Sequence, residues 1–128
     1  MAKGGEPTEV VVGRIYDAWP EGTLRVLVDR LWPRGVRREG APWDLWLREA
    51  APSHALRTWY HANLDAYDLF RARYRQELAA EEGRAALDRL AAAAAGRRMA
   101  LVTARADVAQ SHVPVLAEAL ADHLAARR

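Results

Sequence analysis

The sequence predicts an α/β fold, a single layered domain with a short, mostly parallel central sheet flanked by helices. Three observations predict it. Short apolar runs rich in β-branched residues recur at Val10–Ile15, Leu24–Trp32 and Met99–Val102, each too short for a helix. The stretches between the second and third runs, and after the third, carry apolar residues at helical spacings instead. The second run is apolar on both alternate faces, Val26 and Val28 on one and Leu27 and Leu31 on the other, which is the pattern of a strand covered on both sides.

Residues 1–9 hold two glycines, a proline and almost no apolar side chain, so they read as a disordered tail ahead of one domain over 10–126. The first strand is expected to end near Tyr16, where Asp17, Pro20 and Gly22 punctuate the chain. The second runs from Leu24 to Trp32 and stops at Pro33 and Gly35. Asp17–Thr23 is shorter than the usual crossover between parallel strands, so the first two strands either pair antiparallel or sit apart.

A helix is expected from Trp43 through Trp46, Leu47 and Ala50, with Pro42 suited to an early helical position. Pro52 ends it, and Ser53 is placed to cap a helix containing Leu56–Tyr60. Asp65–Ala80 forms a longer helix with Tyr67, Phe70, Tyr74 and Leu78 on one stripe. After Gly83, Ala85–Ala95 has high helix propensity, and Gly96 ends it ahead of the third strand. Ser111 is expected to cap the last helix, with Val113, Leu116, Leu120 and Leu124 facing inward and Pro114 tolerated in the first turn.

Composition narrows the function classes. The chain has 128 residues, 51% hydrophobic and 28% charged, as in an ordinary globular protein. With no cysteine, disulfides, thiolate metal sites and cysteine nucleophiles are excluded. No apolar stretch approaches the roughly 18 residues of a membrane span, and no signal-peptide pattern opens the chain, so a cytoplasmic location without membrane association is expected. Nineteen basic against 17 acidic residues is not the balance of a nucleic-acid protein. All the basic residues but Lys3 are arginine, an arginine-rich bias that a GC-rich coding sequence also produces. Arg25, Arg30, Arg34, Arg37 and Arg38 nevertheless cluster against the single acid Asp29.

Ligands of open α/β sheets collect beyond the carboxyl ends of the strands, which selects three groups. Tyr16 and Asp17 end the first strand. Asp29, Arg30, Trp32, Arg34 and Gly35 end the second, where guanidinium groups grip a phosphate or carboxylate and Trp32 offers a stacking face; the structural alternative is a buried Asp–Arg pair with Arg packed on Trp. Arg105 and Asp107 follow the third and lead to Ser111 and His112 at a helix N-terminus, which attracts anions. Asp29, Arg30 and His112 are the candidate catalytic residues, with His112 moving a proton if Asp29 or Asp107 lies near it. Tyr16, Asp17, Arg30, Trp32, Arg34, Gly35, Arg105, Asp107 and Ser111 are the candidate ligand contacts. His54 and His61 lack a carboxylate at partner spacing, so no metal site is expected. No nucleophile elbow, zincin, Walker or dinucleotide glycine motif is present.

The segments RIYD at 14–17 and RVLVDRLWPRGV at 25–36 resemble the YeaO-like family of short bacterial domains of unknown function, in the group numbered 488. The likeness continues through Trp43 and Trp46, APS with Leu56, Arg57 and Trp59, FRARYRQEL at 70–78, and LVTARAD followed by QSHVPVL near the end. It covers about residues 10–126. This chain departs at Thr103, where the family has an aromatic, at Arg105 and Ala106 for an Ala-Lys pair, at Ser111 for Asn beside the His, and at Pro114. The resemblance implies an α/β fold with Asp29, Arg30, Arg34 and His112 near one crevice, and it brings no established reaction.

Three function classes follow. The leading one binds a small anionic or phosphate-bearing ligand, a nucleotide among them, in the Arg/Asp/Trp crevice. The second is a nucleic-acid-binding or regulatory module using the basic segment 25–38. The third is a protein interaction module without catalysis. The sequence assigns no reaction, cofactor or oligomeric state.

Overall fold

The computed structural model describes residues 5–127; the first four residues of the expected tail lie outside them. In chain order the elements are β1 (Glu9–Arg14), β2 (Leu24–Leu27), β3 (Leu45–Trp46), α1 (His54–His61), α2 (Tyr67–Ala79), α3 (Glu81–Ala93), β4 (Arg98–Thr103) and α4 (Val113–Ala126), with 3-10 turns at Arg48–Ala50 and Val108–Gln110. The sheet order is β1-β4-β2-β3 and every pair is parallel. Glu9 already pairs with Arg98, so the first strand starts one residue inside the expected tail.

The first two strands sit apart, each parallel to β4, which lies between them. The connection 15–23 achieves this without a helix. Extended chain of that length reaches roughly 30 Å, enough to return along a short strand. It crosses close to the sheet: a Cβ on Gly13 would meet the Trp19 ring at 2.7 Å and Asp17 Oδ2 at 2.6 Å. Glycine at 13 is what lets Trp19 approach the strand.

Alternation along the strands divides the interior in two. Met99 and Leu101 of β4, with Leu24, Val26 and Val28, point toward the four helices and join the main core. Ala100 and Val102, with Leu27, point to the opposite face, where Ile15, Trp19, Trp32, Val36, Trp43 and Trp46 cover the sheet. No helical residue belongs to that second cluster. The helices therefore pack on one face and long connections on the other. No helix among the described residues is long and apolar enough to cross a membrane.

The helix expected from Trp43 does not form. Leu45 and Trp46 instead pair in parallel with Val26 and Leu27, and a 3-10 turn follows. The Asp44 carboxylate holds this register by accepting from the Arg25 backbone N–H at 2.9 Å and pairing with its guanidinium at 2.9 Å. That ion pair pushes the Asp44 carboxyl below its usual range.

The strand β2 ends at Leu27 rather than Trp32, although Val28 N–H still donates to Val102 O at 3.1 Å. β1 likewise ends at Arg14, one bond before Ile15 N–H reaches Thr103 O. Ser53 caps α1 as expected, its Oγ accepting from Leu56 N–H. Gly83 lies inside α3, which begins at Glu81. At α4 the N-cap position belongs to His112, and Ser111 stands one residue earlier. Val113, Leu116, Leu120 and Leu124 of that helix are all buried.

Candidate functional site

The connections that leave β2 and β4 diverge. The one after β2 runs over the helix-free face, where Trp32 and Val36 pack; the one after β4 runs to α4 on the helical face. A cleft of about 440 Å³ opens between them, at the switch point where such sheets bind ligands. Asp29, Arg30, Leu31, Trp32 and Pro33 line it from the end of β2. Ala104, Arg105 and His112 line it from the end of β4. Arg57, Tyr60, His61 and Leu64, from α1 and the residues after it, close the third side.

The floor of the cleft is a hydrogen-bonded set of fixed groups. Asp29 Oδ2 accepts from Ala104 N–H at 2.8 Å, which ties the two strand ends together. Its Oδ1 is buried with no hydrogen-bond partner among the described residues and lies 3.6 Å from His112 Nε2. That nitrogen sits 2.9 Å from the Val28 carbonyl, and because a carbonyl only accepts, Nε2 carries the proton. Burial lowers the His112 pKa, against Asp29 and the Val28 bond, which raise it.

Arg30 is clasped rather than free. Its Nε donates to Pro52 O at 2.9 Å and Nη2 to Ala51 O at 3.2 Å. This guanidinium shapes the cleft wall by holding the chain ahead of α1. Arg57 and Arg105 have no carboxylate partner among the described residues. Arg105 lies over the Tyr60 ring, 5.7 Å from its centroid. The His61 pKa is lowered by burial first and then by Arg57 and Arg105, so the mouth of the cleft carries a positive field. Leu31 and Leu64 rim it at 55% and 56% exposure.

Of the candidate residues, Asp29, Arg30, Trp32, Arg105 and His112 meet in this cleft. The others do not line it. Tyr16 and Asp17 follow the edge strand β1; Tyr16 is 71% exposed, and Asp17 Oδ2 accepts from Arg14 N–H. The indole of Trp32 donates to Val36 O at 2.6 Å, closing a turn through exposed Arg34 and Gly35, the latter at φ 81°. Asp107 caps the turn at Val108–Gln110. Ser111 is fully buried, its Oγ donating to Val108 O and accepting from Val113 N–H. Of the two possible partners for His112, Asp29 is the one beside it.

Arg57, Tyr60 and His61 also line the cleft, outside the strand ends that the sequence points to. Their signal is the spacing i, i+3, i+4, which places three such side chains on one helical face. Tyr60 also joins α1 to the far connection, its hydroxyl donating to Gln110 O at 2.8 Å. Among the described residues no cluster of His, Asp and Glu is placed to hold a metal ion.

Residues 9–128 match the family model DUF488-N3i, described as "Inactive DUF488-N3 subclade". The chain is similar to uncharacterized protein Rv3073c of Mycobacterium tuberculosis (strain ATCC 25618 / H37Rv), 42% identical over 115 residues that cover 88% of this chain and 94% of that protein. It is also similar to uncharacterized protein YeaO of Escherichia coli (strain K12), 38% identical over 106 residues covering 82% and 90%. No solved structure matches.

Proposed function

The chain belongs to the DUF488 group, beside the YeaO-like proteins and within the subclade described as inactive, and from that premise we propose that its cleft binds a small anionic, phosphate-bearing ligand. The observation that carries this reading is the pair Arg57 and Arg105, two guanidinium groups lining one concave site, neither of them ion-paired with a carboxylate among the described residues. A planar fork of donors suits a phosphate or carboxylate. The apolar rim suits a ligand with an uncharged body attached to its anion.

Binding without turnover is the form of this function that the site supports. The buried imidazole of His112 spends its Nε2 proton on the Val28 carbonyl, and Arg30 spends its Nε donor and one Nη2 donor on Pro52 and Ala51. The His112 Nε2 proton and the Arg30 Nε proton are thereby engaged by backbone carbonyls and not by a reacting group. The family description points the same way.

The basic segment 25–38 is the weaker candidate for a nucleic-acid surface. Arg38 already covers the Trp32 ring at 4.5 Å, and Arg48 lies 5.2 Å from the Trp46 ring. Bases would have to displace guanidinium groups to stack there.

The test is isothermal titration of inorganic phosphate, ribose 5-phosphate, mononucleotides and a short oligonucleotide into the wild type and the Arg57→Ala/Arg105→Ala double variant. Binding by the wild type, weakened at least tenfold in the double variant and with added salt, is the expected result. Equal affinity in both proteins overturns the assignment, as does tight binding of oligonucleotides alone.

A further inference from the structure

Resting on the reading of the cleft as an anion site, we infer that its ligand is a nucleoside monophosphate whose base directs an amino group to Asp29. A carboxylate in the cleft repels the charge that Arg57 and Arg105 attract. Asp29 nevertheless lines the same cleft and is held in place there by the Ala104 N–H, a tie that employs only one of its two oxygens.

An ionised carboxylate has about four acceptor positions. Asp29 uses one. Its Oδ1 has no partner among the described residues, and none of the donors around it is aimed at it: Arg30 turns Nε and Nη2 to the Pro52 and Ala51 carbonyls, and His112 turns Nε2 to Val28 O. The cleft thus holds an anchored acceptor that no donor among the described residues fills. The complement is a ligand N–H.

The space between acceptor and cations selects the rest of the ligand. Pro33, Tyr60 and Leu64 give it apolar and aromatic walls, and about 440 Å³ falls in the range of sites that take a small molecule. A flat heterocycle with an amino group at one end and a phosphate at the other satisfies all three regions. Carboxylates accept from base amino groups in the same way in nucleic-acid recognition.

The experiment compares ligands that differ by that amino group, using the full chain in titration calorimetry. AMP is set against the 5′-monophosphate of unsubstituted purine riboside, GMP against IMP, and ribose 5-phosphate reports the anion site by itself. At least one amino-bearing nucleotide should bind about tenfold tighter than its partner, the size of a hydrogen bond to a charged group. In Asp29→Asn that preference should vanish while ribose 5-phosphate binds as well or better, because a like charge has gone. If neither pair separates in the wild type, or if Asp29→Asn tightens nucleotides and ribose 5-phosphate alike, the inference is wrong and the anion site stands. If the wild type binds none of the five, the anion site falls as well.

Discussion

His112 Nε2 donates to the Val28 carbonyl across 2.9 Å and so fastens the N-cap of α4 to the residue that follows β2. The two are 84 residues apart in sequence. Through this bond the two connections that bound the cleft share one anchor, and the imidazole packs edge-on against Tyr74 with ring centroids 6.0 Å apart. A ring so enclosed is neutral because burial disfavours its charged form more than Asp29 favours it.

Stability should therefore fall in mild acid. A histidine whose folded pKa lies below its unfolded value of about 6.5 binds more protons unfolded than folded in the interval between them. Its contribution is whole above pH 6.5 and is lost as pH falls through that interval. Urea unfolding at pH 7.5 and pH 5.5 should show a lower midpoint at pH 5.5. His112→Gln should flatten the difference, and His61→Gln, an exposed group lowered in the same direction, should flatten it less. An unchanged pH slope in His112→Gln would rule the anchor out as its source.

Gly83→Ala should destabilise the protein although alanine is the better helix former by about 1 kcal/mol. A Cβ at this position would run into the Glu77 carbonyl oxygen and lie 2.5 Å from Leu78 Cα, backbone atoms that cannot swing aside. Separating the α2 and α3 ends to relieve the clash should cost about 1–3 kcal/mol. Thermal unfolding of the variant measures it, and a higher Tm than wild type would mean that the helices part without loss.

The parallel sheet was legible because its strands are short, β-branched and apolar on both faces, and the cores of α2 and α4 because Phe70, Tyr74, Leu78, Leu116 and Leu120 keep a helical period. The segment 43–50 was not, since Trp43, Trp46, Leu47 and Ala50 have a spacing that also suits a short strand followed by a 3-10 turn. What decides it is Asp44 meeting Arg25 from 19 residues away. Nor does local pattern contain the strand order, which is set when β4 inserts between β1 and β2. The strand-end rule reached Asp29, Arg30, Trp32, Arg105 and His112. It overreached at Ser111 and Asp107, whose side chains are taken up by local turns. It missed Arg57 and His61, because which face of α1 meets the cleft depends on the tertiary packing of Leu56 and Tyr60.

Tyr74→Phe isolates one buried hydrogen bond. The Tyr74 hydroxyl donates to Ala50 O inside the main core, and burial raises its pKa well above the ordinary phenol value, so it is a neutral donor at any working pH. Phenylalanine fills the same space and leaves the Ala50 carbonyl buried without that donor, at a cost of about 1–3 kcal/mol. Urea titration should show a lower midpoint with an unchanged m value. No change in midpoint would mean that water replaces the hydroxyl.

Arg30 and Arg105 line the same cleft and should respond oppositely to truncation. Arg30 donates to two backbone carbonyls, Pro52 O and Ala51 O, and is the only side chain among the described residues bonded to either. Arg30→Ala removes a charged donor from both, so it should lower stability by about 2–3 kcal/mol and loosen the wall from which α1 starts. Arg30→Lys should recover little, because an ammonium on a flexible stem does not reproduce the planar fork. Arg105 makes no side-chain hydrogen bond within the described residues and rests on the Tyr60 ring. Arg105→Ala should therefore leave the urea midpoint nearly unchanged and act on phosphate affinity instead. Measuring both quantities for all three variants separates a residue that shapes the cleft from one that meets its occupant. The assignment would be reversed by an Arg30→Ala protein that is fully stable and blind to phosphate beside an Arg105→Ala protein that is unstable and still binds.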